Sequence, residues 1–199
     1  MNENVLLDQV LDFYSQNDWR KVLRLNETSE CKEARKLLWA WPSEDNMLFL
    51  KKALEEYGLK GVASMGCGCG LLEWIIQQFT GLPVVGYEVN RQWWESKYSI
   101  PSFIPLEYVD SDQLNVDGLI PQDFALMFCY FNDGRAFREY VQRFRGLMII
   151  IIGPDDGSGR HTDPQPFTAD FGQSGWMLVR QQEIKNTKDF IAIYLRNPA

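Results

Sequence analysis

The stretch Gly61-Val62-Ala63-Ser64-Met65-Gly66-Cys67-Gly68-Cys69-Gly70-Leu71-Leu72-Glu73-Trp74-Ile75-Ile76 decides the reading of this chain. It reads as a short apolar strand, a glycine-rich turn and an amphipathic helix. Glycines recur at alternate positions, Gly66, Gly68 and Gly70. Without a Cβ, backbone at such positions can turn tightly and lie close to a ligand. The helix that follows directs its first-turn amides and the positive end of its dipole at the same spot. A nucleotide or a carboxylate-bearing ligand suits such a turn. The dinucleotide fingerprint G-x-G-x-x-G/A requires a small residue where Leu71 stands, which disfavours a nicotinamide or flavin site. No G-x-x-x-x-G-K-[ST] run is present, which argues against a P-loop nucleotide triphosphatase.

Working outward, the next strand is Pro83 to Glu88, and Glu88 follows Gly70 by 18 residues. An acidic side chain at the end of the second strand of a nucleotide-binding βαβ unit accepts hydrogen bonds from ribose hydroxyls. Leu106–Val109 is a short third strand. Asp123–Phe131 and Leu147–Ile152 are continuous apolar runs, as expected of central strands in a parallel sheet covered on both faces. Between them, Arg135 to Arg145 reads as a helix closed by Gly146. Gly175–Glu183 and Asp189–Arg196, joined by about five residues, read as an antiparallel hairpin. Upstream, Ser43 reads as the N-cap of a helix with Glu44 and Asp45 in its first turn. Residues 1 to about 41 read as three short helices, two of them capped by Asp18 and Ser29. They either pack on one flank of the sheet or form a lid. Asn90 to about Tyr98 reads as a further helix, with one of Trp93 and Trp94 packed inward and the other at a pocket or partner surface.

The pattern h-h-x-h-G-x-G-x-G followed by Glu88 resembles motifs I and II of the class I S-adenosylmethionine-dependent methyltransferases. The likeness runs from about Leu59 to the end and is most specific at Gly66–Gly70 with Glu88. It implies a three-layer Rossmann-like α/β sandwich: a mostly parallel seven-stranded sheet, a terminal antiparallel hairpin and N-terminal helices. Residues 1–199 would form one domain, with 1–42 as a helical extension and 43–199 as the α/β core. The implied cofactor is S-adenosyl-L-methionine, held by Ser64, Gly66, Cys67, Gly68, Gly70, Glu88, Asp110 and Cys129. Asp110 is the expected partner of the adenine amino group, with Asp112 as the alternative. One departure stands out. The family usually carries an acid two residues before the first glycine, and this chain has Ser64.

The implied reaction is methyl transfer to a small molecule or a protein side chain. The alternative is an inactive binding or scaffold protein on the same fold. The fourth strand ends Cys129-Tyr130-Phe131-Asn132-Asp133, which is not the N-P-P-[YF] run of enzymes that methylate base or glutamine amino groups. Tyr130 or Asn132 can orient an acceptor there. The loop Asp155–Pro166 is polar and rich in glycine and proline, and it holds the single histidine of the chain. His161 is a candidate general base, with Asp155, Asp156 or Asp163 to orient it; a solvated loop histidine is the alternative.

Bulk properties bound these readings. The 199 residues carry 45% hydrophobic side chains and a net charge of −7. An acidic chain argues against broad nucleic-acid binding, which needs clustered Lys and Arg. No apolar run approaches a membrane span, and the N-terminus lacks a basic leader, so a cytoplasmic protein is the expectation. The four cysteines form no C-x-x-C pair, so no zinc site is expected.

Overall fold

A computed structural model describes residues 5–25, 34–109, 118–172 and 175–197. Four helices come first: α1 (Val5–Ser15), α2 (Trp19–Arg24), α3 (Ala34–Leu37) and α4 (Glu44–Glu56). Then follow β1 (Gly61–Met65), α5 (Leu71–Thr80), β2 (Val84–Glu88), α6 (Arg91–Trp94), β3 (Leu106–Tyr108), β4 (Phe124–Cys129), α7 (Gly134–Arg143) and β5 (Met148–Pro154). The described chain closes with β6 (Trp176–Ile184) and β7 (Asp189–Arg196).

The seven strands form one sheet in the order β3-β2-β1-β4-β5-β7-β6. The first five run parallel, and β7 enters antiparallel between β5 and β6. Alternation along each strand divides the core into two layers. Val62, Ala125, Met127, Ile150, Ile152 and Ile193 face a cluster shared with α1, α2, α4 and α5. Ala63, Leu126, Phe128, Ile149 and Ile151 face the other side, packed by Phe137, Tyr140 and Val141 of α7. Both faces of β4 and β5 are therefore dry, which is why their sequences are unbroken apolar runs. Each fully buried isoleucine contributes about 1.5–3 kcal/mol relative to exposure.

The N-terminal helices pack rather than stand off. Tyr14 of α1 meets Trp74 of α5 and Phe103 edge-on, and its hydroxyl donates to Phe103 O at 3.0 Å. Trp19 packs on Phe79, and Trp41 Nε1 donates to Leu23 O at 3.1 Å. Asp18 caps α2, and Ser43 caps α4 in a reciprocal box with Asn46. The cap expected at Ser29 lies outside the described residues.

Two elements are shorter than their sequence pattern. The helix expected over 90–98 stops at Trp94, because Ser99 Oγ donates to the carbonyls of Trp94 and Ser96 and turns the chain out. The fourth strand ends at Cys129 rather than Phe131. Tyr130 has φ +50° and bends the chain, after which Asp133 caps α7 through Ala136 N–H. In the 155–166 loop, only Asp156–Ser158 forms a short 3₁₀ turn.

This topology brings together one edge of the sheet: the C-terminal ends of β1, β2, β4 and β5, and the start of β7, where Asp189 lies opposite Pro154.

Candidate active site

Three glycines make the floor of the site. Gly66, Gly68 and Gly70 have φ of +67°, +63° and +75°, a left-handed backbone that other residues adopt only with strain. Gly66 and Cys67 N–H donate to Tyr87 O at 2.8 and 3.3 Å, which ties the turn to β2. A side chain at Gly70 would also collide with Ile104, whose Cγ1 lies 2.4 Å from the added Cβ. At Gly68 the space beyond is open, with only Trp94 near, at 3.9 Å.

Glu88, at the end of β2, clasps this turn. Its Oε1 accepts from Gly68 N–H at 2.6 Å, and Oε2 has a long 3.4 Å contact from Val89 N–H. Burial raises its pKa, opposed by the Gly68 amide and by a Trp94 side-chain hydrogen bond.

Above the turn lies a cavity of about 230 Å³. Gly66, Cys67, Gly68, Cys129 and Tyr130 line it, and the 36–39 strip of the N-terminal helices forms an outer wall. Cys69 Sγ reaches Leu37 O at 3.6 Å across that wall. Trp94 also lines the cavity, while Trp93 projects outward, half exposed. The thiols are not nucleophiles here. Burial, reinforced by the charge of Glu73, pushes Cys67 and Cys129 well above the usual thiol range, and burial pushes Cys69 up to about 12.

Not every expected residue reaches the cavity. Ser64 is fully buried beneath it, and its hydroxyl donates to Glu73 Oε1 at 2.6 Å. Gly70 is the buried N-cap of α5. His161 is exposed on its loop and is not in the cavity wall. Asp110 and Asp112 lie outside the described residues. Tyr130 stacks on Trp39, with ring centroids 5.4 Å apart, and its hydroxyl donates to Asp189 Oδ1 at 2.6 Å. Asp189 Oδ2 pairs in turn with Arg160 Nη1 at 3.1 Å, and Arg160 Nη2 donates to Thr187 O at 2.7 Å. Burial and the Asp189 hydrogen bond both raise the Tyr130 pKa, so the phenol keeps its proton. Among the described residues, no group of three His, Cys, Asp or Glu side chains is placed to hold a metal ion.

Magnesium protoporphyrin IX methyltransferase from Synechocystis PCC 6803, solved with bound SAM, superposes over 99% of this chain and 98% of its own, with a TM-score of 0.51 and 12% identity. Small RNA methyltransferase HEN1 superposes over 80% of this chain and 26% of its own, with a TM-score of 0.51 and 15% identity. This is the class I methyltransferase fold. No family model matches the chain, and no curated protein sequence matches it.

Sequence reasoning missed three residues here: Glu73, which lines the cavity, and Asp189 and Arg160, which support Tyr130 from behind. A signal for Glu73 was present. Leu71, Leu72, Trp74, Ile75 and Ile76 leave no polar face in the first turns of α5, so an acid among them must be buried. Asp189 and Arg160 carry no local pattern and meet Tyr130 only through the fold.

No helix among the described residues is long and apolar enough to cross a membrane.

Proposed function

We propose that this protein is an S-adenosylmethionine-dependent methyltransferase. The observation that carries the reading is the acidic cavity over the β1–α5 turn. Its floor is bare backbone, Glu88 is clasped to that floor through Gly68 N–H, and Glu73 stands buried in its wall. Such a site suits a ligand with a flat nucleoside part and a cationic part. S-adenosylmethionine has both, and when bound it supplies a methyl group already activated on a sulfonium.

The protein's share is then to orient and to exclude water. Gly66, Cys67 and Gly68 provide a surface that a nucleoside can approach closely. Glu88 Oε2, whose contact from Val89 N–H is a long 3.4 Å, is the candidate acceptor for ribose hydroxyls. The first-turn amides of α5 suit the donor's carboxylate. Cys129 and Tyr130 stand where the fourth strand ends, which is the acceptor side of this arrangement.

Tyr130 is read as a positioning residue, because its proton is committed to Asp189. Because Tyr130 keeps its proton and His161 is not in the cavity wall, the reading favours an acceptor that needs little help: a thiol, an amine or an acidic hydroxyl. The solved neighbours are a magnesium protoporphyrin IX methyltransferase and a small RNA methyltransferase, so the fold itself does not select an acceptor class.

Calorimetric titration with S-adenosylmethionine and S-adenosylhomocysteine tests the reading. The wild type binds both; Gly68→Asp, which puts a charged side chain into the space a ligand would occupy, abolishes binding, and Glu88→Ala weakens it by at least about tenfold, as loss of a charge-assisted hydrogen bond requires. No binding by the wild type overturns the proposal.

A further inference from the structure

One carboxyl oxygen in the cavity wall has no partner in the protein. Glu73 is the third residue of α5 and only 1% exposed. Its Oε1 is held by the Ser64 hydroxyl at 2.6 Å, but Oε2 is buried and accepts no hydrogen bond. Buried carboxylate oxygens are nearly always satisfied, and one that is not calls for an absent donor. Its own backbone amide lowers the pKa of the carboxyl but makes no hydrogen bond to Oε2, and the other groups that face it supply none. Cys67, Cys69 and Cys129 are protonated thiols and weak donors, and Glu88 is a second acid that raises the Glu73 pKa further. Lys36 lines the outer wall of the same cavity, but no ion pair joins it to Glu73. The helix end gives partial compensation, because an anion in the first turn meets the positive end of the dipole.

We propose that Glu73 Oε2 accepts a hydrogen bond from the α-ammonium of the methyl donor's amino-acid end, with Ser64 holding the carboxylate in place. This rests on the reading of the preceding subsection. The ammonium is the group to expect, because a buried anionic oxygen is best satisfied by a cationic donor, and the ribose hydroxyls already have Glu88 as their candidate acceptor. An ammonium offers three, whereas a sulfonium offers none. The arrangement also accounts for Ser64. It faces α5 from β1, on the same side of the sheet as Val62, and donates to the acid that the neighbouring helix provides. The carboxylate that the strand end lacks is supplied from the helix, and the serine is its positioning residue.

Calorimetry with two probes separates this claim from the broader one. S-adenosylmethionine carries the amino-acid end; 5′-deoxy-5′-methylthioadenosine keeps the nucleoside and thioether and lacks it. At about pH 8, Glu73→Gln weakens S-adenosylmethionine binding by about 10- to 100-fold, the range for a charged hydrogen bond, and leaves methylthioadenosine binding within about twofold of wild type. Ser64→Ala shows the same selectivity with a smaller loss, about three- to tenfold. Wild-type affinity for S-adenosylmethionine rises between about pH 6 and 8 as Glu73 ionises, and the Gln variant is flat over that range. Thermal melts of both variants confirm that they are folded. Equal S-adenosylmethionine binding by wild type and Glu73→Gln overturns the proposal, and so does a Glu73→Gln loss shared equally by both probes. Failure of the wild type to bind either probe overturns the methyltransferase reading itself.

Discussion

Glu73 lines the cavity and Asp189 stands behind its Tyr130 wall, and these two buried carboxyl groups are built in opposite ways. Each is at most 2% exposed, and each accepts a 2.6 Å hydrogen bond from a hydroxyl, Ser64 for one and Tyr130 for the other. Asp189 then takes a guanidinium, Arg160, on its second oxygen. Glu73 takes nothing. A closed pair of this kind anchors structure: it fixes the Tyr130 ring and ties the 155–166 loop to the sheet. An open one carries an electrostatic penalty that only an outside donor can relieve. The two walls of the cavity differ in the same way, one finished by the protein alone and the other awaiting a ligand.

The largest effect should come from opening the closed side. Arg160→Met leaves Asp189 buried without its cation and should cost about 3 kcal/mol in urea unfolding, because the remaining charge is stranded. A loss below about 0.5 kcal/mol would mean that Asp189 is not held by Arg160 in solution.

Neutralising the open side should do the reverse. Burial raises Glu73 from 4.5 to about 7. Below about pH 4.5 the carboxyl is protonated in both folded and unfolded chains and contributes nothing. Between about 4.5 and 7 the unfolded chain releases its proton while the native state keeps it, so stability falls as pH rises. Above about 7 the full penalty persists, on the order of 3 kcal/mol. Glu73→Gln removes it at the loss of about 1 kcal/mol of hydrogen bonding to Ser64. The variant should therefore be about 2 kcal/mol more stable than wild type near pH 8, with no gain near pH 4.5, in unfolding titrations at the two pH values. A variant less stable than wild type at pH 8 would make Glu73 an ordinary structural residue. Stability gained and binding lost in one substitution is the signature of a strained binding group.

The smallest effect sharpens the contrast within the closed side. Tyr130→Phe deletes one hydrogen bond and leaves Asp189 paired, so it should cost about 1 kcal/mol in the same assay. Its affinity for S-adenosylmethionine should stay within about twofold of wild type by calorimetry. A large loss of affinity would move Tyr130 from the acceptor side to the donor side.

The sheet was legible because its central strands are buried on both faces and announce themselves as apolar runs, and because three alternating glycines mark the first turn. The caps at Asp18 and Ser43 were legible for the same local reason. What stayed hidden depends on distance or on context. Tyr130 adopts a left-handed backbone that no glycine or asparagine announces. Ser99 ends α6 through hydrogen bonds that the tryptophan pair masks. The serine at 64 looked like a missing acid, because the compensating carboxylate lies nine residues on, inside a helix whose periodicity drew attention to its apolar face. Asp189 escaped because residues near a site are sought where parallel strands end, and it stands where an antiparallel strand begins.

That reversal has a lineage consequence. Because β7 runs against its neighbours, the hairpin turn at 185–188 adjoins the Tyr130 wall, while the glycine turn and Glu88 belong to β1 and β2 on the far side of β4. Provided that Arg160 still reaches Asp189 and Thr187, residues can be inserted in that turn or in the 155–166 loop without shifting any strand that carries the glycine turn. Descendants of such a chain are free to diverge on one wall while inheriting the other intact.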